Sequence, residues 1–164
     1  MSMETLRKKA VQGLKKGDTF VIERTFSQAE TLAFGEMTKD YNPVHYEDEW
    51  VKTKGFNGRI CHGLLVGAMI CEFGGQVAWL ATGMNFRFLH PVYFEDTIRL
   101  TVTLVDIQED GRAEADGVFI NQSKELVARV TLYGRLPVGD ERDLLKSIDA
   151  SAKLPETMSK LRYK

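Results

Sequence analysis

An aspartate and a histidine stand five residues apart, Asp40 and His45, joined by Tyr41-Asn42-Pro43-Val44. After an acidic and aromatic spacer comes Gly58-Arg59-Ile60-Cys61-His62-Gly63, which opens a long apolar stretch. A carboxylate and an imidazole brought together across an Asn-Pro turn can pass protons near neutral pH. A helix that starts at a His-Gly step presents backbone N–H groups with no partner inside the helix, and these can meet a carbonyl oxygen. Such parts suit proton chemistry next to a carbonyl.

Each residue also has a plainer reading. Aspartate beside Asn-Pro commonly caps a turn, and a single histidine in a loop is usually just hydrogen-bonded there. His62 reads as the residue that holds the helix start rather than as a proton carrier, and His90, before Pro91, as the end of a strand. A metal site from Asp40, His45 and His62 matches no zinc spacing, so no metal is expected. Cys71 lies within an apolar helix pattern, where no motif supports a nucleophile. Trp79, Phe86 and Phe88 read as core. Arg59, Lys52 and Lys54 can meet phosphates, but a solvated face is the simpler reading.

The surrounding pattern says what must position these groups. Residues 18–26 alternate Phe20 and Ile22 with polar neighbours, as a strand does. Ser27 with Glu30 three residues on forms a capping box. The helix it starts is expected to reach Met37 with Ala29, Leu32, Ala33 and Met37 toward the core. Pro43 forces extended geometry on Asn42, giving a loop that holds Asp40 and His45 at an opening. A short polar helix is expected over 47–54. The run 62–80 predicts one long, nearly all-apolar helix, with Gly63 and Gly67 leaving one face bare and Gly74-Gly75 a kink. Four strands follow, at 84–88, 96–107, 112–121 and 125–136, with Asp110-Gly111 as a hairpin turn. The tail from Val138 carries Leu144, Leu145 and Ile148 at helical spacing and is expected outside the core. The fold class is therefore α+β, a single domain with an antiparallel sheet wrapped around a long central apolar helix. Residues 1–16 form an N-terminal extension, irregular or a short helix, 17–137 the domain and 138–164 a charged tail. Such a layer leaves apolar surface and a free sheet edge, which a homodimer would cover.

Composition bounds the partners. A chain of 164 residues with 43% hydrophobic content suffices for one core. Its 22 basic and 23 acidic residues give a net charge of −1, so there is no electrostatic case for nucleic acid. Residues 1–14 have no apolar run of the kind a signal peptide carries. Residues 62–81 are apolar, but Glu72 and Gln76 near the middle argue against a membrane span. Cys61 and Cys71, ten residues apart on one expected helix, would sit ~15 Å apart, too far to bridge. A reducing, cytoplasmic setting is the simplest expectation.

The spacing D-x-N-P-x-H followed by G-R-x-x-H-G, with the later Arg87-Phe88-Leu89-His90-Pro91-Val92, resembles the MaoC-like (R)-specific enoyl-CoA hydratases and dehydratases, which have the hot-dog fold. That resemblance implies hydration of trans-2-enoyl-CoA to (R)-3-hydroxyacyl-CoA, or the reverse, by a dimer that needs no cofactor, coenzyme A being part of the substrate. It also implies that Asp40 and His45 are the acid–base pair holding the water. By the same token the Gly63 N–H receives the thioester oxygen, and Asn42 shapes the loop. Cys71 falls where several relatives have a serine near the pair, and a thiol is a weaker hydrogen-bond partner. Two other functions stay open beside this one. One is a hot-dog thioesterase, for which Glu72 is the candidate carboxylate; the other is a non-catalytic acyl-CoA-binding module.

Overall fold

The computed structural model describes residues 3–148. In chain order these form α1 (Met3–Gln12), β1 (Thr19–Thr25), α2 (Gln28–Thr38), a 3₁₀ turn (Pro43–His45), α3 (Asp48–Thr53), α4 (Gly63–Gly67), α5 (Ile70–Val77), β2 (Leu80–Phe88), β3 (Thr97–Ile107), β4 (Arg112–Ile120), β5 (Leu126–Arg135) and α6 (Asp140–Ser147). The five strands make one antiparallel sheet in the order β1-β3-β4-β5-β2. The expected succession of one strand, helices and then four strands is what the chain adopts.

Alternation along each strand sends one set of side chains to a single face. The registers align Phe20, Val102, Gly117, Val130 and Phe86 in one row across all five strands. A second row runs Ile22, Leu100, Phe119, Ala128 and Phe88. The helical segment lies on this face, with Phe73 of α5 against Phe20 at 5.4 Å between ring centroids. The sheet therefore wraps the helix as expected.

The helix itself is shorter and less uniform than the sequence suggests. Ala68 and Met69 stay in the right-handed helical region. Their neighbourhood is tightened by i→i+3 bonds, Met69 N to Val66 O and Cys71 N to Ala68 O, a 3₁₀-like joint. The helix stops at Val77, because Ala78 takes a left-handed conformation and Trp79 N returns to Gly74 O. Gly74 and Gly75 thus fall in the closing turn rather than at a kink. There Arg7 donates to the carbonyls of Gly75 (3.0 Å) and Gln76 (2.7 Å), satisfying orphan acceptors of the helix end. Cys61 precedes the helix in an extended segment, bonded to Val92 O. Cys61 and Cys71 are both free thiols.

Two further expectations change, and a third is narrowed. Ala29, Leu32, Ala33 and Met37 are exposed, and it is Thr31, Phe34 and Gly35 that turn α2 inward. The N-terminal extension, expected as irregular or a short helix, is helical over Met3–Gln12, and its Leu6 and Ala10 belong to the core. In the tail, Leu145 of α6 is buried in that same core, although Leu144 and Ile148 stay exposed. No helix among the described residues is long and apolar enough to cross a membrane.

Candidate active site

The loop after α2 is folded by its own side chains. Asp40 Oδ1 accepts from Asn42 N at 3.2 Å, and Asn42 Oδ1 accepts from Val44 N at 3.3 Å. Asn42 thereby caps the 3₁₀ turn, with Pro43 in its first position. This turn swings His45 back beneath Asp40. Next, the segment before α4 is stitched in from both sides. Ile60 N bonds to Val44 O (3.2 Å), and Cys61 N to Val92 O (2.8 Å).

That stitching fixes the histidine. His45 Nδ1 donates to Ile60 O at 2.8 Å, since a carbonyl can only accept. Its Nε2 therefore carries the lone pair of the neutral ring, and it lies 4.0 Å from Asp40 Oδ2. Two acceptors at that separation can share one water at about 2.8 Å from each, with an angle of roughly 90° at its oxygen. Only 7% of the His45 side chain is exposed, against 50% for Asp40. Burial pushes the His45 pKa below the ordinary imidazole range; the bond to Ile60 opposes this, the neighbouring His62 adds to it, and Asp40 opposes it. A neutral, accepting imidazole at neutral pH follows.

The helix start lies beside the pair. His62 is the N-cap of α4, but its side chain makes no capping bond, and the first N–H groups of a helix have no partner within it. A Cβ at Gly63 would lie 3.1 Å from the Phe88 ring and press on it. Gly67 meets Phe86 in the same way at 3.0 Å. The bare helix face thus receives two aromatic rings of β2, which stack with 5.7 Å between centroids. A cavity of about 340 Å³ is lined by His45, Gly63, Phe88 and His90 among largely apolar neighbours.

The structure brings together Asp40, Asn42, His45, His62 and Gly63. Cys71 lies elsewhere. It is exposed on α5 and lines a separate apolar cavity with Phe73, Trp79 and Met84. Eight residues past Gly63, it is ~12 Å along the helix. Arg59 is paired with Asp48 (3.1 Å), Lys52 with Glu49 (2.6 Å), and Lys54 lies over the Trp50 ring. Two site residues escaped the sequence reading. Tyr46 Oη donates to Asp40 O at 3.3 Å, and its place directly after His45 was the available signal. His90 sits at the cavity and pairs with Glu125 at 3.1 Å.

Asp40, His45 and His62 place ligand-type atoms within 4.8 Å of one another. However, His62 Nε2 donates to Asp40 O at 3.0 Å, so its proton, not a lone pair, occupies that nitrogen. A cation held by all three would have to break this bond.

The MaoC like domain profile matches residues 10–125. The chain belongs to the MaoC-like family. A mitochondrial 3-hydroxyacyl-(acyl-carrier-protein) dehydratase of Arabidopsis thaliana is 34% identical over 101 residues, which is 58% of this chain and 59% of that protein. The chain thus spans less than two thirds of that relative. An (R)-specific enoyl-CoA hydratase of Aeromonas caviae is 27% identical over 105 residues, 62% of this chain and 78% of that protein. Among solved structures, the (R)-hydratase from A. caviae involved in PHA biosynthesis superimposes with a TM-score of 0.71 at 25% identity. That superposition covers 77% of this MaoC-like chain and 99% of the other. The hot-dog fold is therefore shared.

Proposed function

We propose that this MaoC-like protein is a hydro-lyase that adds water across the double bond of a trans-2-enoyl-CoA to give the (R)-3-hydroxyacyl-CoA, or runs the reverse dehydration. The observation that carries the reading is the placement of His45 Nε2 4.0 Å from Asp40 Oδ2, next to a cavity that His45 shares with Gly63. The family relatives named as hydratases and dehydratases support it.

In this mechanism one water lies between His45 Nε2 and Asp40 Oδ2. The Gly63 N–H receives the thioester oxygen, where enolate-like charge develops, and the aligned peptides of the helix add to that field. Removing one such donor typically costs on the order of 10²–10³ in rate. As the water oxygen bonds to Cβ, the pair takes one of its protons and returns a proton to Cα. Asp40 takes that proton and delivers it to Cα, while His45 Nε2 holds the water through its other O–H. The pair ends in the protonation state in which it began, and no metal or redox cofactor enters a step. Asn42 holds the loop, and Cys71 has no part in this subunit's pair. A thioesterase would need Glu72 at the reacting carbon, and Glu72 is exposed on α5, away from the residues lining the His45 cavity.

The active form is a homodimer. β2 is an edge strand of nine residues whose Leu80, Met84 and Phe88 are exposed, a surface that invites pairing with a second copy. The test is to mix the protein with crotonyl-CoA and follow the enoyl-thioester absorbance with chiral analysis of the product. Loss giving the (R)-3-hydroxy thioester, lowered by about 10²–10⁴ in Asp40→Asn, supports the reading. Release of free thiol would make it a thioesterase, and a folded protein inert toward short and long enoyl chains would point to a binding module.

A further inference from the structure

His62 is a poor choice for beginning a helix. Serine, threonine, aspartate or asparagine would cap the first turn with a side-chain oxygen, and His62 makes no such bond. It is also costly to bury. The residue is 1% exposed, and its Nδ1 is enclosed without a hydrogen-bond partner among the described residues, which carries a free-energy cost. A residue placed at this disadvantage is explained by what the rest of its ring does.

That ring touches each part of the candidate site. Its Nε2 donates to the Asp40 carbonyl at 3.0 Å, the same oxygen that takes the Tyr46 hydroxyl at 3.3 Å. Its face stacks on His45 with 3.7 Å between centroids and 28° between planes. Phe34 of α2 closes on it at 5.3 Å. Its own carbonyl is peptide-bonded to the Gly63 nitrogen. One residue therefore fastens the loop that carries the acid, packs the base, and is covalently joined to the oxyanion donor.

We infer that His62 is a positioning residue for the reaction, holding Asp40, His45 and the Gly63 N–H in a single register. The inference rests on the hydratase reading above and adds a residue to it. Displacement of reacting groups by about 1 Å can cost on the order of 10² in rate, so loss of the register lowers kcat while substrate binding through the cavity persists.

Three substitutions test it: His62→Phe keeps a ring without the donor, His62→Asn has an amide too short to reach, and His62→Gln can place an amide N–H near the Nε2 position. With crotonyl-CoA, His62→Phe and His62→Asn are expected to lose about 10²-fold in kcat with KM changed by less than about threefold, and His62→Gln to recover at least tenfold of that loss. Unchanged kcat in all three, or equal losses in Asn and Gln, would overturn the proposal. Should the variants fail to fold, ¹⁵N NMR of the unsubstituted protein decides: a proton on His62 Nε2 is required, and a proton on Nδ1 alone would overturn it. Absence of turnover in the unsubstituted protein is a separate result, which counts against the hydratase reading and leaves the NMR measurement to judge His62.

Discussion

Half of the Asp40 side chain is open while His45 is almost enclosed, and that asymmetry sets the pH behaviour of the site. Burial, the first cause, lowers the His45 pKa, with His62 adding to it. The base form therefore persists below the ordinary imidazole value of about 6.5, and the acidic limb of kcat/KM is expected below that value. A limb at or above it would contradict the enclosed geometry. The sign for stability follows from the same shift. The folded state binds a proton here less readily than the unfolded chain, so protonation favours unfolding. The contribution of neutral His45 is whole above about 6.5 and is lost as pH falls through the lowered folded value. Thermal melts between neutral and mildly acidic pH should show a falling midpoint, and the decline should shrink in a His45→Gln variant.

At the scale of elements, the two glycines on the bare face of α4 do separable work. A Cβ at Gly67 would press on Phe86, a partly buried ring of the core, at 3.0 Å. Gly67→Ala is expected to cost about 1–3 kcal/mol of stability by overpacking, read by denaturant melts, with a small change in kcat. A Cβ at Gly63 would press on Phe88, which is half exposed and can yield. Gly63→Ala should cost less stability and more rate, on the order of 10² in kcat, because the displaced group is the proposed oxyanion donor. The reverse pattern would contradict the assignment.

The same elements show what the sequence made legible. The capping box at Ser27 and Glu30 forms as read, with Glu30 N bonded to Ser27 Oγ and Ser27 N to Glu30 Oε2. The Asp110-Gly111 turn joins β3 to β4, with Gly111 at φ +86°. Local rules sufficed there because the stabilising partners are close in sequence. The start of β2 at Leu80, four residues before the expected position, was illegible because this edge strand shows no alternation of burial. The helix end was illegible because a left-handed alanine, Ala78, ends it, where a glycine would have been the signal. The inward face of α2 was misassigned because its inner residues are small or polar, Thr31 and Gly35. Gly35 makes room for the Tyr46 hydroxyl, 1.7 Å from where a Cβ would stand. Of the candidate site, the Asp40/His45 spacing and Gly63 were legible. The bonds of Ile60, Tyr46 and His62 depend on contacts up to 22 residues apart, which no local pattern records.

At the scale of the whole molecule, apolar surface remains uncovered on two sides. Leu80, Met84 and Phe88 line the free edge at β2, and Met37 and Leu64 protrude near the site at 69% and 62% exposure. The proposed homodimer covers such surface and ends the exposed edge. Sedimentation should give about twice the chain mass of 18.6 kDa. Met84→Arg, which sets a charge on that edge, should move the population toward 18.6 kDa. An unsubstituted protein that sediments as a monomer at micromolar concentration would contradict the pairing.

In the proposed mechanism Asp40 and His45 hold one water and move its proton on one face of the substrate. Hydration of crotonyl-CoA in D₂O, followed by NMR assignment of the relative configuration at Cα and Cβ, tests it most directly. Syn addition is expected, with deuterium and hydroxyl on the same face and the (R) configuration at Cβ. Anti addition would place the proton donor on the face opposite the water, where this pair cannot reach, and would contradict that mechanism.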